Sequence, residues 1–123
     1  MSKNSLPLLI VILISSFCFA QPQLKFDDAK KNFGFVKKGE LVKLTYTYIN
    51  TGNQPLIITD AKAECSCTKV TFAKEPLQTG KSASIEVLFD TSPTYDRQDR
   101  TVEVISNDPK SPHKIRFKGV VLK

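Results

Sequence analysis

The sequence lacks the features of most catalytic and membrane-spanning chains. It has no tryptophan, one histidine and one methionine in 123 residues, so side chains that bind metals are scarce. It contains no glycine-rich phosphate loop, nucleophile elbow or metalloprotease helix. Beyond the N-terminus, no apolar run approaches the roughly 20 residues of a membrane helix. Hydrophobic residues at 41% and charged residues at 24% exclude a disordered, collagenous or coiled-coil chain and indicate one globular domain.

The first twenty residues are typical of a secretory signal peptide. Lys3 is their only charge, residues 6–14 form a short apolar run, and the segment ends with small residues up to Ala20. We therefore predict a signal peptide at residues 1–20 and an exported domain at residues 21–123. The protein is expected in the periplasm or outside the cell.

Two other interpretations of the N-terminus are disfavoured. An uncleaved anchor would need a longer apolar run and a basic stop signal directly after it. A lipid-bearing Cys18 would need a small residue before it, and Phe17 stands there. After cleavage no transmembrane segment is expected, and Cys65 and Cys67 are the cysteines that are left.

Alternation of apolar and polar residues dominates the rest of the chain. Runs of period two that are rich in Val, Ile, Thr, Tyr and Phe are typical of half-buried strands. The clearest runs are residues 42–48, 84–90, 101–104 and 114–118. Weaker strands are expected at residues 24–26, 33–36 and 56–63.

Turn-forming residues separate these runs, at positions 37–40, 50–53, 78–81 and 107–109. About seven short strands without a helical stretch predict an all-β, immunoglobulin-like sandwich of two antiparallel sheets. Leu56 and Ile58 are even-numbered apolar positions, whereas Ala61 is odd-numbered. This change of parity predicts a bulge near Thr59 and Asp60 that keeps both sets on the core side.

Six short motifs lie along the predicted domain, at residues 33–40, 46–52, 55–58, 65–68, 106–109 and 117–120. Together, over about residues 26–121, they resemble the bacterial family called domain of unknown function 1573. The resemblance implies an immunoglobulin-like fold akin to Hydin-type and major-sperm-protein-type domains. It also implies export, commonly in Bacteroidetes-like bacteria, and no established activity.

The chain departs from the usual pattern of that family in three places. Ser66 replaces the glycine between the two cysteines, and Thr79 replaces a proline before Gly80. A loop expected at residues 91–99 lacks the usual glycines and instead contains Pro93, Tyr95 and Arg97. The first departure weakens any interpretation that requires a tight turn at the cysteines.

Cys65 and Cys67 are the pair of residues that could carry redox or metal chemistry. Residues two apart on an extended strand are separated by about 6.5 Å, whereas bonded cysteines have Cβ atoms about 3.5–4.5 Å apart. A bond between them therefore needs a bend at Ser66, and its small ring would be strained and easily reduced. Because cysteine is often buried, the residues favour a structural role, as core-facing thiols or an inert bridge. A redox-active pair is the alternative.

A metal site is limited by the supply of ligands. Cys65, Cys67 and His113 could hold copper(I), and a closed zinc site would need a further ligand such as Glu64 or a partner chain. His113 follows a proline at the start of the last predicted strand, where a solvated turn histidine is expected. We therefore expect no metal or other cofactor, with the copper(I) set as the alternative.

The predicted loop at residues 91–99 and its flank carry several charges. Asp96 and Asp99 with Arg97 and Arg100 are compatible with an acid–base group, but a solvated polar loop is favoured in this fold. Tyr95, Arg97 and Arg100 are the candidate binding residues, because an exposed tyrosine is a typical anchor for a partner.

The net charge of +6 favours anionic partners. The lysines are scattered, with doublets only at 30–31 and 37–38, so we expect no nucleic-acid binding. The sequence predicts a non-enzymatic module of the cell envelope that contacts protein or envelope polymer through loops or an edge strand. The alternative is a periplasmic thiol-redox or copper(I)-handling protein that uses Cys65 and Cys67.

Overall fold

The computed structural model describes residues 20–123, so nearly all of the predicted signal peptide lies outside the described residues. These residues form eight β-strands and contain no helix long and apolar enough to cross a membrane. The strands are β1 (Leu24–Phe26), β2 (Lys30–Lys37), β3 (Leu41–Asn50), β4 (Ile58–Ala63), β5 (Thr68–Thr71), β6 (Ser82–Asp90), β7 (Asp96–Ser106) and β8 (His113–Leu122).

The strands form two four-stranded sheets, in the orders β1-β3-β6-β5 and β2-β8-β7-β4. The predicted all-β sandwich is confirmed, with eight strands instead of about seven. The expectation of purely antiparallel sheets is wrong at one position, because β2 pairs parallel with β8. The chain passes from β1 at the edge of one sheet to β2 at the edge of the other.

The core lies between the sheets and follows the predicted alternation. Its buried side chains are Leu24, Val42, Tyr46, Tyr48, Leu56, Ile58, Ile85, Val87, Phe89, Val102, Val104, Ile115, Phe117 and Val121. Burying a large apolar side chain contributes about 1.5–3 kcal/mol, so this set is the main stabilising term of the fold.

Tyr46 shows how the core accommodates a polar group. Its hydroxyl donates a hydrogen bond to the Arg116 carbonyl oxygen at 2.8 Å, which satisfies the buried oxygen atom. Burial, and to a smaller extent the negative charge of Asp28, raises the pKa of the Tyr46 hydroxyl.

The predicted bulge on β4 is confirmed. The register of β4 against β7 shifts between Ile58 and Asp60, so one residue of β4 is inserted there. The inserted residue lets Ile58 and Ala61 both contact the core, although they differ in parity.

A second bulge lies on β2. Asn32 pairs with Lys118 and Gly34 pairs with Gly119, so Phe33 is the inserted residue of β2. Its ring packs at 5.8 Å from the Phe89 ring. A Cβ atom on Gly119 would overlap the Phe33 ring and lie 2.7 Å from the Gly34 carbonyl oxygen, so only glycine fits at position 119.

Candidate functional site

The outer face of the β2-β8-β7 sheet carries a shallow groove of about 380 Å³. We call it the β2 surface and define it by Asn32, Phe35, Arg97, Asp99, Lys118 and Val120, which line the groove. Phe35 pairs with Val120, and Val120 pairs with Arg97, so these three side chains stand in one row across the sheet. The row brings one aromatic, one aliphatic and one cationic side chain together beside the free edge of β2.

Phe35 is exposed because of the bulge on β2. Phe33 points into the core, and regular alternation would bring Phe35 to the same side. The inserted residue reverses the parity, so that Val36 contacts the core while Phe35 is 75% exposed. Gly34, between the two phenylalanines, has a φ of 75°, which glycine adopts without steric cost.

The charges on this face are mostly positive. Asp99 is paired with Arg116, whose Nε donates to Asp99 Oδ1 at 2.6 Å and whose Nη2 donates to Oδ2. These hydrogen bonds and the charge of Arg116 hold the pKa of the Asp99 carboxyl below its usual range. The remaining charged side chains on the outer face of β2, β8 and β7 are five cations and one anion, none of which joins an ion pair of the described residues: Lys30, Lys37, Arg97, Lys114, Lys118 and Glu103. The face therefore presents a net positive potential around an exposed aromatic ring.

Edge strand β2 is the longest of the four sheet edges in the described part of the chain. It has 8 residues, whereas β1 has 3, β5 has 4 and β4 has 6. Only β8 pairs with β2, so the backbone groups on its other side have no strand to pair with. Such an edge is available for an added strand.

The structure separates the three candidate binding residues. The expected loop at residues 91–99 is shorter than predicted, because β7 begins at Asp96 and places both Arg97 and Arg100 on a strand. Arg97 reaches the β2 surface. Arg100 lies on the other side, where its Nη2 donates to Gln98 Oε1 at 2.7 Å and its guanidinium lies 5.9 Å from the Phe89 ring centre.

Tyr95 remains exposed at the end of the shortened loop. The Lys123 Nζ atom lies 5.0 Å above its ring, which is a cation–π distance. The loop itself is held by buried threonines, since Thr91 Oγ1 donates to the Glu40 carbonyl oxygen at 2.7 Å and Thr94 Oγ1 donates to the Thr91 carbonyl oxygen at 2.9 Å. Tyr95 is therefore presented on a well-anchored loop next to β7.

Cys65 and Cys67 form a disulfide bond with each other, at a Cα–Cα distance of 5.1 Å. The chain leaves β4 at Ala63 and turns before β5, and this turn provides the bend at Ser66 that the bond requires, without a glycine there. We call residues 64–67 the disulfide turn. It joins the edge of one sheet to the edge of the other, on the side of the sandwich opposite β2.

Backbone hydrogen bonds hold both cysteines of the disulfide turn, since the Thr68 N–H donates to the Cys65 carbonyl oxygen at 3.1 Å. The Cys67 N–H donates to Cys65 Sγ at 3.1 Å, and the Asp90 N–H donates to the Cys67 carbonyl oxygen at 2.8 Å. Cys67 also packs against the core, whereas Cys65 is not among the hydrophobic residues that do so. The two ends of the bond therefore differ in their packing, because Cys67 contacts the core and Cys65 does not.

The expectation of a solvated turn histidine at position 113 is wrong. His113 is half-buried at the start of β8, with Nε2 3.4 Å from Asp108 Oδ2. The same Asp108 oxygen accepts the Leu24 N–H at 2.9 Å, so this pair helps to fix β1. Among residues 20–123, no group of three or more His, Cys, Asp and Glu side chains is arranged to hold a metal ion. His113 is therefore not assembled with Cys65 and Cys67.

The β2 surface was not predicted from the sequence. The signal for it was present, since a glycine inside a strand pattern indicates a bulge or a close approach of backbone. Phe33, Gly34 and Phe35 gave that pattern, but which phenylalanine faces solvent depends on the pairing of β2 with the distant strand β8.

Comparisons with known proteins agree with this architecture. The profile of a family described as "Protein of unknown function (DUF1573)" matches residues 24–121. No curated protein has significant sequence similarity to the chain.

Solved structures share the fold at low identity. A protein of unknown function from Porphyromonas gingivalis W83 has a TM-score of 0.72 at 17% identity, covering 88% of this chain and 51% of its own. An ASH/PapD-like domain of human CEP192 has a TM-score of 0.68 at 8% identity, covering 85% and 88%. The Escherichia coli chaperone DraB has a TM-score of 0.59 at 13% identity, covering 81% and 56%.

Proposed function

The chain belongs to the DUF1573 family of proteins of unknown function, and from this premise we propose that it is an exported, non-enzymatic protein-binding module. Its site is the β2 surface together with the free edge of β2. Its ligand is an extended, acidic segment of a partner protein, which adds as a strand to β2. The observation that carries the proposal is the 75% exposed Phe35 on the longest open edge strand.

Strand addition suits this edge because main-chain hydrogen bonds between β2 and the peptide supply the affinity. An extended peptide that pairs with β2 satisfies the N–H and C=O groups on its open side that have no partner. Side chains already bind two N–H groups of this strand, since Lys30 donates to Asp28 Oδ1 and Gly34 donates to Asn32 Oδ1. Other edges of the described residues offer less, since β1 and β5 have only 3 and 4 residues. Edge strands β2 and β4 each carry one bulge, so the difference between them is the greater length of β2, with 8 residues against 6, and the exposed Phe35 that only β2 presents.

Phe35 provides the apolar contact for such a segment. Its ring lies at the rim of the groove, beside Val120 and near Arg97. Exposed aromatic side chains next to a shallow groove are frequent anchors in protein interfaces. An apolar side chain on the same face of the added strand can therefore pack against Phe35 and exclude water from its ring.

The charges of the site select the partner. Lys30, Lys31 and Lys37 lie on β2 itself, and the strand has no acidic residue. A second copy of β2 would bring lysines against lysines, which opposes pairing of this chain with itself. An acidic segment is attracted by the same charges, both on approach and in the complex.

The fold of similar structures supports a binding role. A PapD-like domain of CEP192 and DraB have this sandwich, and DraB is a chaperone. A fold alone does not specify a function, so the proposal depends on the β2 surface of this chain.

The test measures binding of a fluorescent peptide that alternates glutamate with valine. We expect saturable binding that weakens roughly tenfold in Phe35→Ala, the loss typical of a buried anchor. Leu41→Ala is the matched control, because Leu41 is also an exposed apolar residue at 62% but lies outside the β2 surface. A lysine–valine peptide tests the sign of the charge and should not bind.

The competing ligand is an anionic polymer without peptide backbone, for which inorganic polyphosphate is the probe. Peptide binding that protects β2 amides from hydrogen exchange supports strand addition. Polyphosphate binding as tight as peptide binding, with no effect of Phe35→Ala, contradicts it. Equal losses in Phe35→Ala and Leu41→Ala would also contradict the assignment of the site.

A further inference from the structure

The disulfide turn adds little to the stability of the fold. A disulfide stabilises a protein mainly by closing a loop of the unfolded chain, and this effect becomes smaller as the loop becomes shorter. Cys65 and Cys67 are two positions apart, so their bond closes one of the shortest loops possible. It links neither sheet to the other, because both cysteines belong to the same turn.

The two sulfur atoms of this bond are in different environments. Cys65 Sγ accepts the Cys67 N–H at 3.1 Å, a contact that also favours a thiolate at Cys65 after reduction. Cys67 is held to β6 through its carbonyl oxygen and packs against the core. Cys67 Sγ lies 3.9 Å from Thr68 Oγ1, which can donate a hydrogen bond to it.

We propose that the Cys65–Cys67 disulfide is a thiol–disulfide exchange site that oxidises a dithiol of a partner protein. The site lies on the side of the sandwich opposite β2, so it does not depend on binding at the β2 surface.

The exchange takes place in two steps. A thiolate of the partner attacks Cys65 Sγ, the bond to Cys67 breaks, and Cys67 Sγ leaves with the electron pair and takes a proton. The second thiol of the partner loses its proton and attacks the partner sulfur of the mixed disulfide, which releases Cys65 as a thiolate next to the Cys67 N–H. In sum, the partner enters as one thiolate and one thiol, passes two electrons and one proton to the cysteine pair and gains a disulfide, and the pair ends as a Cys67 thiol and a Cys65 thiolate.

The first test compares two variants that each keep one thiol, Cys67→Ser and Cys65→Ser. With oxidised glutathione as the probe near pH 7, we expect Cys67→Ser to form the mixed disulfide about tenfold faster, because its Cys65 thiolate receives the amide hydrogen bond. Mass spectrometry measures the adduct over time. Equal rates, or a faster reaction of Cys65→Ser, would overturn the proposal.

The second test uses the oxidised full-length domain with dithiothreitol as the dithiol probe. We expect two new thiols per chain and one equivalent of oxidised dithiothreitol, while circular dichroism shows that the fold is kept. Ser66→Ala, at an exposed position of the same turn, is the control and should react at the unchanged rate. Reduction that occurs only after unfolding in urea would show that the bond is structural and would overturn the proposal.

Discussion

The two lateral edges of the sandwich solve the same physical problem in opposite ways. Every sheet edge exposes unpaired backbone groups that attract other strands. Both edge strands of the β2-β8-β7-β4 sheet carry a bulge. On one side, β4 has 6 residues, and the disulfide turn leads the chain directly into β5 of the other sheet. On the other side, β2 is longer and presents Phe35 to solvent. We call the β4 side, where the disulfide turn connects the two sheets, the closed edge, and the β2 side the open edge. The comparison teaches that the open edge offers a partner strand the longer backbone edge and an exposed aromatic ring.

The largest expected effect on stability distinguishes the phenylalanine of β2 that faces the core from the one that faces solvent. Phe33→Ala removes a ring that packs against Phe89 and Phe117, and it should lower the free energy of unfolding by about 2–4 kcal/mol. Phe35→Ala, two positions along the same strand, should change it by less than about 0.5 kcal/mol. Urea denaturation followed by circular dichroism measures both. Similar losses in the two variants would mean that Phe35 is part of the core.

A smaller effect is expected at the closed edge. Replacing both cysteines, in Cys65→Ala with Cys67→Ala, should lower the free energy of unfolding by about 1–2 kcal/mol, as expected for a loop of three residues. Hydrogen exchange should become faster at residues 64–68 and stay unchanged in β2, which is distant from the turn. Faster exchange throughout both sheets would show that the disulfide supports the whole fold, and the contrast between the edges would then fail.

The smallest effect concerns the charges next to the open edge. The pKa of Asp99 is lowered by Arg116 in the folded protein, so the ionised carboxylate stabilises the fold at neutral pH. This contribution is lost as the pH falls through the folded pKa, below about 4. Asp99→Asn should therefore reduce the loss of thermal stability between about pH 5 and pH 3.

Arg116→Gln is the matched control for this pH dependence, because it removes the other member of the same pair. It should flatten most of the acid limb of the melting-temperature profile but less than Asp99→Asn does, because the charge of Lys118 still lowers the pKa of Asp99. If only one of the two variants changes the profile, the ion pair is not its cause.

Much of the fold was predictable from local patterns. Period-two alternation identified β3, β6, β7 and β8, and the residues at turns marked where they end. The bulge at Asp60 was predictable as well, because a change of parity between apolar positions is visible in the sequence itself. Both signals depend on neighbours within a few residues, and one buried face imposes them directly.

Most of the candidate site was not predictable in this way. The exposure of Phe35 results from pairing with β8, more than 80 positions along the chain. His113 meets Asp108 because the last turn and β8 are packed against β1. Arg97 and Arg100 seemed equivalent in the sequence, and only their placement on opposite faces of β7 distinguishes them.

The amino-acid order by itself determined that this chain forms strands, which side chains enter the core, and where two cysteines lie close enough for a bond after one bend. These properties are local, because a strand that buries one face has an apolar side chain at every second residue. Tertiary structure alone decided which edge stays open, which phenylalanine meets water and which charges surround it. Those properties arise from pairing between distant segments, whose partners no local pattern specifies.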